Sequence, residues 1–131
     1  MTRGCAILAG GHENLLEGIR SLLQTIFETV VMVADKKSLF EAADKLKPRL
    51  AIVDLSLPVS SELNVAREIK SRYPELKLIV LSIHEEPATV SEVMSAGASG
   101  FVLKRSIAKD LLPAVRAALK GRTYISPSLE V

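Results

Sequence analysis

The chain has 131 residues, of which 48% are hydrophobic and 4% aromatic, and its 17 basic and 15 acidic residues give a formal net charge of +2. The length suits one domain with a single core, the hydrophobic fraction excludes a disordered chain, and the charge is too small and too dispersed to indicate nucleic-acid binding by itself. The one cysteine, Cys5, excludes an internal disulfide and favours a reducing cytoplasm, and no apolar run reaches a membrane-spanning length of about 18 residues.

Short apolar runs alternate five times with segments of helical periodicity. The runs predict strands at residues 5–9, 28–33, 50–54, 77–82 and 100–104. The periodic segments predict helices at residues 13–27, 38–47, 62–73, 87–97 and 107–120. Ser38 and Glu41 form a capping-box pattern at the start of the second helix. Pro113 lies inside the last segment, so that helix either begins near Lys109 or kinks at the proline.

The alternation of strands and helices indicates an α/β fold. Nearly continuous apolar strands are typical of a parallel sheet that helices cover on both faces. Because the connections between parallel strands are right-handed, few topologies remain. The sequence therefore predicts a flavodoxin-like (βα)5 fold, a doubly wound parallel sheet of five strands in the order 2-1-3-4-5.

Polar residues follow several of the predicted strands at the carboxyl edge of the sheet. Gly10 and Gly11 follow the first strand, whereas Asp54, Ser82 and Lys104 end the third, fourth and fifth. A lone aspartate at a strand end is commonly a turn residue, but this combination indicates a phosphoryl acceptor site. Asp54 would be the nucleophile, Lys104 would balance phosphoryl charge and Ser82 would donate a hydrogen bond.

Five segments resemble response-regulator receiver domains, most of all the receivers of LuxR/NarL-type transcription factors. They are ILAGGH (7–12), AIVDLSLP (51–58), IVLS (79–82), AGASGFVLK (96–104) and GRTYISP (121–127), within a likeness that extends over residues 5–128. The resemblance implies that Asp54 corresponds to the phosphoacceptor and Lys104 to the lysine of the family's site. It also implies that Ser82 is the switch hydroxyl, that Phe101 is the switch aromatic, and that the backbone carbonyl of Ser56 is a metal ligand.

The chain departs from the family where receivers carry a pair of acidic residues after the first strand. Gly10 and Gly11 occupy these positions, and Glu62 stands where receivers usually have a glycine. Mg²⁺ prefers several hard oxygen ligands, of which Asp54 and the Ser56 carbonyl would remain. We therefore expect no metal site, weak or absent Mg²⁺ binding, and inefficient phosphorylation. With the acidic pair absent, Lys104 is expected to form an ion pair with Asp54 in place of the metal charge.

These features predict an atypical receiver that signals through protein contacts or dimerisation. An ordinary receiver, phosphorylated on Asp54 by a histidine kinase, is the first alternative. A second is a small anionic ligand held by backbone N–H groups of Gly10, Gly11 and His12 before the first helix. A third is a metal site rebuilt from His12 and Glu13. No flavin loop or nucleophile–base pair is visible, so we do not expect an enzyme.

The expected domain organisation is a receiver at residues 1–121, with residues 122–131 beginning a linker towards a DNA-binding domain that this chain lacks. Expected partners are a sensor kinase or another protein and a second copy of the chain. The surface of the fourth helix, fifth strand and fifth helix is the predicted contact. DNA would be bound only through the missing domain, and no membrane association is predicted.

Overall fold

The structure is a computed structural model, and it describes residues 4–10, 13–54 and 59–127. The strands are β1 (Cys5–Ala9), β2 (Thr29–Val33), β3 (Leu50–Asp54), β4 (Lys77–Ser82), β5 (Gly100–Leu103) and β6 (Tyr124–Ile125). The helices are α1 (Glu13–Leu23), α2 (Lys36–Leu46), α3 (Val59–Arg72), α4 (Pro87–Ser95) and α5 (Ile107–Leu119). A 3₁₀ turn at Lys104–Ser106 joins β5 to α5.

The strands form one parallel sheet in the order β2-β1-β3-β4-β5-β6. The predicted order 2-1-3-4-5 is confirmed, and the structure adds β6 at the free edge of β5. In this added strand Tyr124 pairs with Gly100 and Ile125 pairs with Phe101. A two-residue strand is too short to produce a recognisable periodicity, which is why the sequence did not reveal it.

Helices cover the sheet on both faces, and each face has its own hydrophobic core. Buried residues of α2, α3 and α4 form one core, and buried residues of α1 and α5 form the other. Strand β3 contributes Ala51 and Val53 to the first core and Leu50 and Ile52 to the second. Burial on both faces explains why the strands are apolar throughout. Among the helices of the described residues, none has the length and apolar character to cross a membrane.

Several helix ends differ from the predicted positions. Helix α2 begins at Lys36 because Asp35 is its N-cap, and the Asp35 carboxylate accepts a hydrogen bond from the Ser38 N–H at 2.7 Å. The capping box predicted at Ser38 was therefore wrong by three residues. Helix α5 begins at Ile107, as the periodicity predicted, and contains Pro113. The alternative start near Lys109 was therefore wrong.

The Asp35 cap predicts a pH-dependent contribution to stability. Hydrogen bonds from the Ser38 backbone and hydroxyl lower the pKa of the Asp35 carboxyl. In Asp35→Asn the cap is retained but no longer titrates. Because the folded-state pKa lies below the unfolded value of about 3.9, the wild type's advantage over Asp35→Asn is present above about pH 4.

That advantage is lost as the pH falls through the folded-state pKa. Urea unfolding of both proteins at neutral pH and at about pH 3 measures the difference in unfolding free energy. A difference that grows on acidification would contradict the prediction.

Candidate functional site

An ion pair between Asp54 and Lys104 lies at the carboxyl edge of the sheet. Asp54 is the last residue of β3, and Lys104 directly follows β5. Lys104 Nζ lies 2.5 Å from Asp54 Oδ1, the Asp54 side chain is fully buried and that of Lys104 is 16% exposed. Burial of a lone carboxylate would be strongly unfavourable, and the Lys104 ammonium group provides the opposite charge that offsets this cost for Asp54.

Gly10 allows the end of β1 to lie directly against Asp54. A Cβ atom built on Gly10 would be 2.9 Å from the Cβ of Asp54 and 3.0 Å from its backbone oxygen. The Gly10 N–H also donates to the carbonyl of Val33 at 3.0 Å, which fixes the backbone between β1 and β2. A side chain at position 10 would therefore require the backbone or Asp54 to shift.

The described residues do not fit a Mg²⁺ site. Mg²⁺ requires a near-octahedral set of oxygen ligands. Within residues 4–10, 13–54 and 59–127, no group of three or more His, Cys, Asp or Glu side chains could hold a metal ion. Of positions 10, 11 and 54, where the family carries acidic residues, only position 54 has a carboxylate in this sequence, and Asp54 Oδ1 is paired with Lys104.

Some of the predicted site residues lie outside the described residues. They are Gly11, His12 and Ser56. The metal-ligand carbonyl of Ser56, the anion-binding loop and the rebuilt metal site therefore stay predictions. Glu13 is the first residue of α1.

The two predicted switch residues lie on the strands beside this ion pair. Ser82 ends β4 and is fully buried, and its Oγ accepts a hydrogen bond from the His84 N–H at 3.0 Å. Phe101 lies in β5, is also fully buried and belongs to the core beneath α2, α3 and α4. The structure thus places Asp54, Ser82 and Lys104 at the ends of adjacent strands, as the sequence predicted.

A surface ion pair that the sequence did not indicate joins the two loops beside the site. The Arg105 guanidinium contacts the Glu85 carboxylate, and both side chains are about half exposed. The hydrogen bond from Arg105 lowers the pKa of Glu85. The pair links the β4–α4 loop to the 3₁₀ turn that carries Lys104, but its exposure limits its contribution to stability.

A second group of contacts missed by the sequence analysis holds β6 in place. The Tyr124 hydroxyl donates to the carboxylate of Asp110 at 3.1 Å. The Leu103 N–H donates to Ser126 Oγ at 3.0 Å. The available signal was the Thr-Tyr-Ile run after Gly121, whose β-branched and aromatic residues favour a strand.

A cavity of about 760 Å³ lies at the opposite edge of the sheet, where β3 and β4 begin. Its lining includes Lys47, Arg49, Lys77 and Tyr73. Helices α2 and α3 end beside it, and cations near helix C-termini are stabilised by the helix dipole. This accounts for Lys47, which is the C-cap of α2.

Comparison with known proteins decides the family. The sequence profile of the response regulator receiver domain matches residues 7–116. The chain belongs to this family. It is 31% identical to the transcriptional regulatory protein DegU of Brevibacillus brevis over 125 residues, which cover 94% of this chain and 53% of DegU. This receiver therefore spans about half the length of the curated relatives it matches.

Solved receivers have the same fold. One is the isolated receiver of RcsB from Salmonella enterica serovar Typhimurium, determined with the phosphomimetic BeF3⁻. It is 31% identical to this chain and superposes with a TM-score of 0.85, and the match covers 98% of this chain and 96% of that receiver. A structure of two RcsB dimers bound to two parallel DNAs gives a TM-score of 0.83 at 31% identity, covering 98% of this chain and 66% of that chain. These relatives identify a receiver of the LuxR/NarL type.

Proposed function

We propose that this receiver signals through protein–protein contacts or dimerisation, without efficient Mg²⁺-dependent phosphorylation of Asp54. The observation that supports this most directly is the 2.5 Å contact between Lys104 Nζ and Asp54 Oδ1. The ammonium group neutralises the buried carboxylate that would otherwise attract a metal ion. Gly10 supports the same proposal, because a Cβ atom at this position, where the family has an acid, would lie 2.9 Å from the Cβ of Asp54.

Phosphoryl transfer to a carboxylate depends on positioning and on neutralisation of the developing charge. In this proposal Lys104 supplies one positive charge, and its ammonium group already contacts an oxygen of the Asp54 carboxylate. The nucleophile would have to leave a buried ion pair before it could attack a phosphodonor. We therefore infer that Asp54 has a structural role as the partner of Lys104 and that Ser82 and Phe101 are retained switch positions.

The output of the receiver is proposed to depend on a partner protein, on a sensor kinase that binds without efficient transfer, or on a second copy of the chain. The DNA-bound RcsB dimers support dimerisation and an output on DNA. We further propose that residues 1–121 form the receiver and that residues 122–131 begin a linker to a DNA-binding domain. A cytoplasmic location fits these roles.

Incubation with acetyl phosphate and Mg²⁺, followed by intact-protein mass spectrometry, tests the proposal. We expect no phosphoryl adduct on the wild type, the same result for Asp54→Asn, and an adduct on the Salmonella RcsB receiver treated in parallel. Rapid Mg²⁺-dependent labelling that Asp54→Asn abolishes would overturn the proposal. That outcome would favour the alternative of an ordinary receiver phosphorylated by a histidine kinase.

A further inference from the structure

The segment 124–126 is bound to the free edge of β5 by backbone hydrogen bonds. The Tyr124 N–H donates to the Ser99 carbonyl at 2.9 Å, and the Ser126 N–H donates to the Phe101 carbonyl at 3.0 Å. Ser126 is fully buried, and its Oγ accepts the Leu103 N–H at 3.0 Å. The segment therefore satisfies backbone groups of β5 that would otherwise lie at an unpaired sheet edge.

Side chains on both faces of the sheet also hold this segment. Ile125 packs against the same core as Phe101, and Tyr124 packs against the core beneath α1 and α5. Tyr124 donates its hydroxyl hydrogen to Asp110, which is 2% exposed and lies in the first turn of α5. A buried carboxylate with a hydroxyl partner is costly to leave without that partner.

These anchors lie next to the residue that pairs with Asp54. Leu103, whose N–H is bound by Ser126, immediately precedes Lys104. Phe101, whose carbonyl is bound by the Ser126 N–H, lies two residues earlier on β5. The 124–126 segment therefore holds the end of β5 in place, and the end of β5 sets the position from which the Lys104 side chain extends towards Asp54.

We propose that residues 124–126 form a strap whose docking on β5 is energetically coupled to the Asp54–Lys104 ion pair. The intact pair favours the docked strap, and loss of the pair releases it, so that Ser126 and Tyr124 are positioning residues for Lys104. The coupling is reciprocal, because two linked equilibria must affect each other equally. The inference rests on the proposed structural role of Asp54 as the partner of Lys104, and it does not depend on whether Asp54 can be phosphorylated.

Hydrogen exchange tests the effect of the ion pair on the strap. In Lys104→Met, we expect the amides of Leu103, Tyr124 and Ser126 to exchange at least about tenfold faster relative to amides of β1 than in the wild type. The β1 amides report general destabilisation, since β3 and β4 lie between β1 and β5 in the sheet. Equal acceleration of strap and β1 amides would overturn the coupling.

Chemical labelling tests the reverse effect. In Tyr124→Phe and in Ser126→Ala, we expect Lys104 to react with acetic anhydride several-fold faster than in the wild type, with Ser95→Ala as the control at an exposed serine. Tyr124→Phe keeps the backbone pairing and the ring, so it serves if Ser126→Ala folds poorly. Unchanged Lys104 reactivity in Tyr124→Phe would contradict the proposal.

The result of the phosphoryl labelling experiment is independent of the results of the two coupling experiments. Coupling together with efficient labelling would overturn the proposed function and leave the strap intact. Absence of both coupling and labelling would overturn the strap alone.

Discussion

Replacing Lys104 with methionine is expected to lower the free energy of unfolding by about 3 kcal/mol at neutral pH. The substitution removes the ammonium group that lies 2.5 Å from the fully buried side chain of Asp54. Methionine preserves most of the side-chain volume, so the effect reports the lost charge rather than a cavity. Chemical denaturation at pH 7 measures the change.

The control for this prediction is the double variant Asp54→Asn/Lys104→Met, in which neither charge is present. We expect it to recover most of the lost stability, because replacing both members of a buried pair is far less harmful than removing one. Lys109→Met, at an exposed lysine in α5, should change stability by less than about 0.5 kcal/mol.

A loss at Lys104 no larger than at Lys109 would show that the ion pair contributes nothing to the fold.

Replacing Gly10 with alanine is expected to destabilise the protein by about 1–3 kcal/mol, the usual range for an overpacked site. The new methyl group would lie 2.9 Å from the Asp54 Cβ and 3.0 Å from its backbone oxygen, both of which belong to a buried strand end. Relief of this contact requires the end of β1, or the end of β3 that carries Asp54, to move.

Gly18 provides a matched control for this substitution. A Cβ built on Gly18, which lies inside α1 and is exposed, would meet no atom within 4 Å. Gly18→Ala should therefore raise stability by about 0.5–1 kcal/mol through helix propensity. Thermal and urea unfolding of both variants measure these opposite changes in stability. Equal stabilisation by the two alanines would show that position 10 has space for a side chain.

The fold could be predicted from the sequence because its dominant signals are strong. Five apolar runs that alternate with helical segments leave few parallel topologies, and the observed sheet keeps the predicted order. Helix ends were less predictable, because both Asp35 and Ser38 are good N-cap residues. Only the structure shows that the carboxylate of the first accepts the N–H of the second.

The candidate site was predictable in outline, whereas its geometry was not. Parallel strands bring Asp54, Ser82 and Lys104 to one edge whatever the detailed packing, so their proximity follows from topology. The close approach of Gly10 to Asp54 depends on distances of a few tenths of an ångström, which no residue pattern encodes. The docking of Ser126 beside Lys104 depends on a strand of two residues, too short to be recognised in the sequence.

The replacement of the metal charge by Lys104 is tested most directly by NMR titration with beryllofluoride and Mg²⁺. Chemical shifts of the 15N-labelled receiver would be followed, with the Salmonella RcsB receiver as the positive control. We predict that resonances of residues at the ends of β3, β4 and β5 do not move at Mg²⁺ and beryllofluoride concentrations that saturate RcsB. Saturable shifts at Asp54, Ser82 and Lys104, dependent on both Mg²⁺ and beryllofluoride and absent in Asp54→Asn, would contradict this prediction.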